Sequence, residues 1–304
     1  MGLLIVGSVA LDSVKTPFGE VTEVLGGSAT YGSLAASYFT DVNLVAVVGE
    51  DFPEPHREFL RRRRINLDGL AAAPGRTFRW KGEYGFQLNE AKTLRTELNV
   101  LESFMPTLPS SYRQAEMVFL ANIDPDLQRH VLGQIARPRL VAADTMNFWI
   151  ERKRDSVLRM LKEIDVLMIN DGEARELARE VNLVKAARWI LGCGPKGLII
   201  KRGEYGAMLF NQHRVFIAPA YPLEQVFDPT GAGDSFAGGL LGYLAQSDDL
   251  SEANLRRAVI YGSAMASFAV EAFSVDRLKT VTEEDVQGRV REFKAMTTFE
   301  EAVA

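Results

Sequence analysis

The chain has 304 residues, 47% of them apolar and 25% charged, with a formal net charge of −5. That length holds one large α/β domain or two small ones, and the proportions are those of an ordinary globular chain. The negative balance argues against nucleic acid or an anionic membrane as the main partner, and no apolar run reaches bilayer-spanning length.

Cys193 is the only cysteine, so disulfides within the chain are excluded and a reducing cytoplasm is the expected setting. The stretch Met1–Gly7 has no basic flank and runs directly into a strand pattern, which does not read as a secretion signal. Residue 6 is valine where N-myristoylation after Gly2 needs Ser or Thr. His56, His130 and His213 are far apart, so a metal centre built from protein ligands is not expected. Any metal would be a hard cation arriving with phosphate.

Residues 3–9, Leu-Leu-Ile-Val-Gly-Ser-Val, read as a buried parallel strand. Asp12 follows just past its carboxyl end, where open α/β sheets meet their ligands; as structure alone it is a turn former. Residues 14–25 look like a small hairpin around Pro17-Phe18-Gly19. Gly26-Gly27-Ser28 interrupts it, permitting close backbone approach to a ligand and offering Ser28 as cap to a small-residue helix over 29–39. A strand over 43–48 and a helix over 55–64 come next. The run Arg61 to Arg64 reads as a solvated helix end complementing the dipole. Residues 77–88 then alternate apolar and polar, and 93–98 adds another strand, the mark of antiparallel strands with one solvated face. Together the stretches 13–25 and 75–98 predict a small second sheet, a lid able to exclude water.

Beyond Leu98 strands are predicted at 117–121, 140–144, 166–170, 198–201, 208–210 and 215–218. Helices fill 125–136, 151–163, 173–180, 184–192, 234–246, 251–270 and 283–297. This alternation predicts a mainly parallel sheet with helices on both faces, one domain over 1–304 with a discontinuous lid. Gly192–Gly197 matches GxGxxG spacing but follows a helix and precedes a strand, the reverse of a dinucleotide turn. There is no GxxxxGK[ST] loop either.

The most informative stretch is Asp228-Pro229-Thr230-Gly231-Ala232-Gly233-Asp234. A Gly-Ala-Gly turn opening a helix presents unpaired N–H groups that suit an anion. Asp234 directly after it would repel that anion unless the anion arrives beside a hydroxyl whose proton Asp234 accepts. The residues therefore point to phosphoryl transfer, with the Gly231, Ala232 and Gly233 amides on the migrating group and Asp234 as base. As structure alone the stretch is a glycine-rich strand–helix joint. Two further strand ends fit the same chemistry. Asn170-Asp171-Gly172-Glu173 can organise magnesium through water, or be a capping pair. Lys201-Arg202-Gly203-Glu204-Tyr205-Gly206 can neutralise phosphate, or be a hairpin turn.

The Asp228–Asp234 order resembles the signature of the ribokinase-like (pfkB-type) carbohydrate kinases, and the likeness runs from Gly7 to Phe268. It implies a three-layer α/β/α sandwich and an ATP- and Mg²⁺-dependent cytoplasmic kinase for a small sugar or related polyol. Asn170 and Glu173 resemble the family's Asn-x-x-Glu. With Lys201, Gly203, Gly206, Thr230, Gly231, Gly233 and Gly262 they form the implied ATP side, Gly262 lying in the small-residue helix that flanks adenine. Asp12, Gly26 and Gly27 resemble the acceptor side, with Asn122, Asp124 and Asn147 as further polar contacts. Asp228, Thr230 and Ser274 mark the implied monovalent-cation (K⁺) site. A departure is Tyr31, where many sugar kinases carry Asn. An aromatic ring there suits the apolar face of a nucleoside, a cyclitol or a less usual sugar. The rival readings are a binding regulator without turnover and a dinucleotide-dependent oxidoreductase, which lacks its fingerprint here. The lid strands offer edges for a homodimer.

Overall fold

The computed structural model describes residues 2–212 and 214–300; Met1, His213 and 301–304 lie outside the described residues. The first apolar run closes early. Strand β1 (Leu3–Val6) stops at Gly7, and the chain turns into β2 (Ala10–Thr16) and β3 (Gly19–Gly26). The turn is tight at Gly7, where a Cβ would sit 2.8 Å from Ser28 Oγ and 2.9 Å from Ala121 Cβ. The strand expected over 3–9 thus ends at Val6, and Asp12 lies within β2 rather than just past β1. Helix α1 (Ser28–Ala36), β4 (Val42–Val48) and α2 (Glu54–Arg61) follow. Strand β5 (Ile65–Ala72) escapes the sequence reading because it is an edge strand that buries only Ile65 and Leu70, too few to leave a pattern. Strands β6 (Phe78–Tyr84) and β7 (Ala91–Glu97) end this half, and the alternation read as far as Leu88 stops as strand at Tyr84.

The remainder runs β8 (Met117–Leu120), α3 (Pro125–Leu132), β9 (Leu140–Asp144), α4 (Asn147–Arg152), α5 (Arg154–Leu161) and β10 (Val166–Asn170). It continues with α6 (Asp171–Ala178), α7 (Leu183–Leu191), β11 (Gly197–Lys201), β12 (Ala207–Phe210) and β13 (Val215–Ala218). Helices α8 (Ala232–Ser247), α9 (Glu252–Ala269) and α10 (Glu283–Thr297) close the chain. The single helix expected over 151–163 is two, parted at Lys153.

Nine strands form the main sheet in the order β13-β12-β11-β10-β9-β8-β1-β4-β5. All run parallel except β12, which pairs antiparallel with both β11 and β13. The order reverses between β1 and β8, and a crevice opens at such a switch point outside the carboxyl ends of the strands. One face of the sheet is covered by α1, α8 and α9, the other by α3, α5, α6 and α7, giving the expected α/β/α layers. The small sheet forms in the order β3-β2-β6-β7, and β2 pairs with β6 in parallel from Ala10↔Phe78 to Lys15↔Glu83. Among the described residues no helix is long and apolar enough to cross a membrane.

Helix α8 owes its position to small residues. A Cβ on Gly238 would overlap the Gly32 carbonyl oxygen of α1, and one on Gly242 would come 2.9 Å from Ala36 Cα. On its other side Gly262 of α9 lies against α8, where a Cβ would meet Phe236 O at 2.7 Å. Backbones this close have no slack, so an added methyl must part the helices. Gly238→Ala is expected to lower stability by about 1–3 kcal/mol, read by urea unfolding, whereas Gly288→Ala, facing only Arg291 Nη2 at 3.8 Å, should be neutral or stabilising.

Candidate active site

Helix α8 begins at Gly231, whose φ of 76° is left-handed, and no side chain caps it. Glycine is required there twice over, by that φ and because a Cβ would run into the Tyr31 ring. Of the turn's amides, Ala232 N–H is engaged on Pro229 O at 3.2 Å, so it serves the turn itself. The remaining first-turn donors of α8 are the ones open to an anion. Tyr31, 1% exposed, backs the turn, so this face of its ring is spent on Gly231 rather than offered to a ligand. Burial and the charges of Asp228, Asp12 and Asp234 hold its hydroxyl protonated.

Four charged side chains, two from strand ends and two from the first turns of helices, gather at this turn. Lys201, ending β11, donates to Asp144 Oδ2 at 2.7 Å, and Asp144 ends β9. A Cβ on Gly233 would stand 2.9 Å from Lys201 Nζ, so the ammonium lies directly against the turn. Asp234, in the first turn of α8, has its pKa pushed up to about 7, first by burial and then by the charge of Asp144, against the pull of Lys201. Glu173 is raised to about 8 by burial and then by Asp144. Asn170 and Glu173 form a reciprocal capping box, each donating its N–H to the other's side-chain oxygen at 2.8 Å. Among the described residues no group of three His, Cys, Asp or Glu is placed to hold a metal alone. A magnesium ion sharing its shell with phosphate and water needs no such cage, and the hard oxygens of Glu173 suit it.

On the acceptor side Asp12 is 4% exposed, and its Oδ2 accepts from Gly27 N–H at 3.3 Å. Gly26 is bare because any Cβ would overlap the Asp12 carboxylate. Asp12 Oδ1 is buried with no partner, an unusual state that a ligand hydroxyl would relieve. Burial, then Asp228 and Asp234, raise this carboxyl to about 7. Ser28 Oγ donates to Asn122 O at 3.2 Å, placing Asn122 on the same floor. The Asn122 amide is already held, accepting from Trp149 Nε1 and donating to Met146 Sδ, each at 3.1 Å. Asp124 caps α3 and pairs with Lys153 at 2.6 Å, and Asn147 bonds the Phe148 N–H. These two are engaged structurally and stand apart from Asp12.

The small sheet lies across both halves. Tyr84 of β6 accepts from Thr230 Oγ1 at 3.3 Å, and Asn89 accepts from Glu204 N–H at 3.3 Å in the turn that holds Gly203 and Gly206. Trp80 pairs with Asp12 across β2 and β6, so both share a face with Tyr84. Its ring lies over Gly82, held by Nε1–H to Thr93 Oγ1 at 3.2 Å. Neither Trp80, Tyr84 nor Asp144 follows from the sequence pattern; register and strand order bring them in. Asp228, Thr230 and Ser274 do meet: Asp228 accepts from Thr230 N–H at 2.9 Å and Ser274 N–H at 3.1 Å. Gly262 is buried in the α8–α9 crossing, where it serves helix packing.

The sequence matches the pfkB family carbohydrate kinase profile over residues 6–280. A cytidine kinase from Thermococcus kodakarensis is 27% identical over 260 residues, covering 83% of this chain and 91% of that protein. In structure, a nucleoside kinase from Methanocaldococcus jannaschii superposes with a TM-score of 0.76 at 20% identity, over 96% of this chain and 99% of its own. A fructokinase from Vibrio cholerae bound to fructose, ADP and calcium gives 0.77 at 16% identity, over 95% and 99%. With the family matched over nearly the whole chain, and its signature lying on an open helix start at the switch point of an α/β/α sandwich, the chain belongs to the pfkB family of carbohydrate kinases, phosphotransferases that act on an alcohol group.

Proposed function

We propose that the chain transfers the γ-phosphoryl group of ATP to a hydroxyl of a small sugar or related polyol in the cytoplasm, with Asp234 as base. What carries this reading is the pairing of Asp234, set in the first turn of an uncapped helix, with Asp12, whose buried oxygen lacks a partner. Asp12 and Gly27 hold the acceptor. The acceptor oxygen bonds to the γ-phosphorus, the bond from that phosphorus to the bridging oxygen breaks, and the hydroxyl proton passes to Asp234. A base whose pKa is pushed up to about 7 is matched to that task at neutral pH. The open amides of α8 face the charge that spreads over the migrating group. Asn170 and Glu173 would hold magnesium through water, which supplies positive charge to the phosphates. Asp228 is buried with both oxygens on backbone N–H groups and a net charge that suits a potassium ion near Thr230 and Ser274. The small sheet acts as the lid, and its outer strands β3 and β7 offer edges for a homodimer.

Trp80 favours a second acceptor class. An indole lying flat on the inner lid face beside Asp12 suits stacking on a planar base, as in a nucleoside. The likeness to a protein named cytidine kinase supports the same direction.

Asp234→Asn is expected to cut kcat by about 10²–10⁴-fold while ATP still binds. The measurement is ADP release over a panel of hexoses, pentoses, cyclitols and nucleosides; turnover close to wild type would remove Asp234 from the chemistry. Transfer needs Asp234 ionised, so kcat/KM should fall about tenfold per pH unit below about 7 and level off above it. Stability runs the other way. A carboxyl whose folded pKa is raised favours the fold while neutral, so stability is lost as pH climbs from about 4 through about 7. Asp12→Asn should therefore raise the thermal midpoint more at pH 8 than at pH 5; an equal gain at both would deny the buried charge.

A further inference from the structure

We propose that Lys201 is the fixed cation of the transfer step and that Asp144 is the residue that positions it. This rests on the transfer reading above. Lys201 and Asp144 stand at the carboxyl ends of β11 and β9, two strands apart, with β10 between them. Their side chains cross that gap to meet at 2.7 Å, with 17% and 6% of each exposed. A buried pair of this kind is weak evidence for stability, because desolvation offsets most of the attraction. Its placement indicates a different use.

Each oxygen of the Asp144 carboxylate has a partner: Oδ2 takes Lys201 and Oδ1 takes the Thr145 N–H, both at 2.7 Å. The ammonium is not saturated. Among the described residues Asp144 is its one hydrogen-bond partner, and an ammonium carries three donors. The others lie under the turn, since the Cβ that Gly233 lacks would be 2.9 Å from Nζ. Positive charge is needed at that spot. Asp144 and the ionised Asp234 would otherwise meet an incoming phosphoryl group with like charge beside the turn. Arg202 does not fill the need, since its guanidinium lies over the Tyr205 ring, 5.6 Å from the centroid. A cation beside first-turn amides at a helix start gives both kinds of donor to a migrating phosphoryl group, and Asp144 keeps it from swinging toward Asp234.

Three variants test this: Lys201→Met, Asp144→Asn and the two combined, assayed for ADP release with saturating ATP, magnesium and the acceptor that the panel identifies. Lys201→Met should lose about 100-fold in kcat with the acceptor KM little changed. Asp144→Asn should lose less, since the cation remains but is no longer held. Each single change leaves a buried charge unpaired, so each should lower the thermal midpoint, and the combined variant should regain most of it. If the restored double variant is still as slow as Lys201→Met, the cation works in transfer. If it recovers wild-type turnover, the pair is only structural and the proposal falls. Should the combined variant fail to fold, Lys201→Gln keeps a donor, one bond shorter, without the charge, and turnover there within about tenfold of wild type overturns the proposal. Asp234→Asn run in parallel separates the two failures: its activity sinks the transfer reading itself, whereas its inactivity beside an active double variant sinks only the role of Lys201.

Discussion

The start of α8 is the constraint on which the rest depends. An uncapped helix begins half-buried with its backbone donors open, and such donors need a partner from elsewhere. No side chain supplies one here. The left-handed Gly231 and the Tyr31 ring behind it fix the turn's position, and the close crossings at Gly238 and Gly262 fix the helix. The open donors then sit against the carboxyl ends of β1, β8, β9, β10 and β11. The charged groups of the site come from two of these strand ends, the first turns of α6 and α8, the loop that leads into α8, and β2.

Concentrating carboxylates around that turn has an electrostatic cost, visible as raised pKa values at Asp12, Asp234 and Glu173. The fold meets it unevenly. Asp144 has a lysine, and Asp228 has two backbone donors. Asp12 has one weak contact at 3.3 Å and one bare oxygen. The least satisfied groups are those that a phosphoryl donor and a hydroxyl acceptor would engage, so binding substrates repairs what folding leaves unpaired.

The sequence makes the candidate reaction centre legible because the longer order Asp-Pro-Thr-Gly-Ala-Gly-Asp is far more specific than a glycine-rich turn alone, and it makes the α/β rhythm legible because buried parallel strands are uninterrupted apolar runs. It hides what depends on neighbours. β5 is an edge strand with two buried residues, so its pattern is thin. Asp144 looks like any Asp closing a strand until β11 delivers Lys201 to it. Trp80 acquires an inner face only through the parallel register of β2 with β6. Tyr31 is legible as an unusual residue, but which surface its ring covers is decided by where α8 starts.

The small sheet is tied to the core with unequal strength, and that inequality determines which part lifts. The β2–β3 hairpin is latched: Thr16 Oγ1 donates to Phe227 O at 2.9 Å, Phe18 packs on Phe227 at 5.9 Å, and Ser274 Oγ donates to Leu25 O at 2.6 Å. The far end, between β6 and β7, rests on exposed contacts of 3.3 Å between Asn89 and Glu204, with Phe86 fully exposed beside them. Opening costs least where contacts are few and solvated, so the β6–β7 end is the part free to move. Trp80 is paired in register with Asp12 and stays with the latched strand, so the loop beyond Tyr84 is what can lift. On the proposed reading, the hydroxyl grip and the flat surface for the acceptor are both in place before closure. Discrimination among acceptors that share hydroxyls then rests on the ring, which is the part of the substrate that Trp80 would meet.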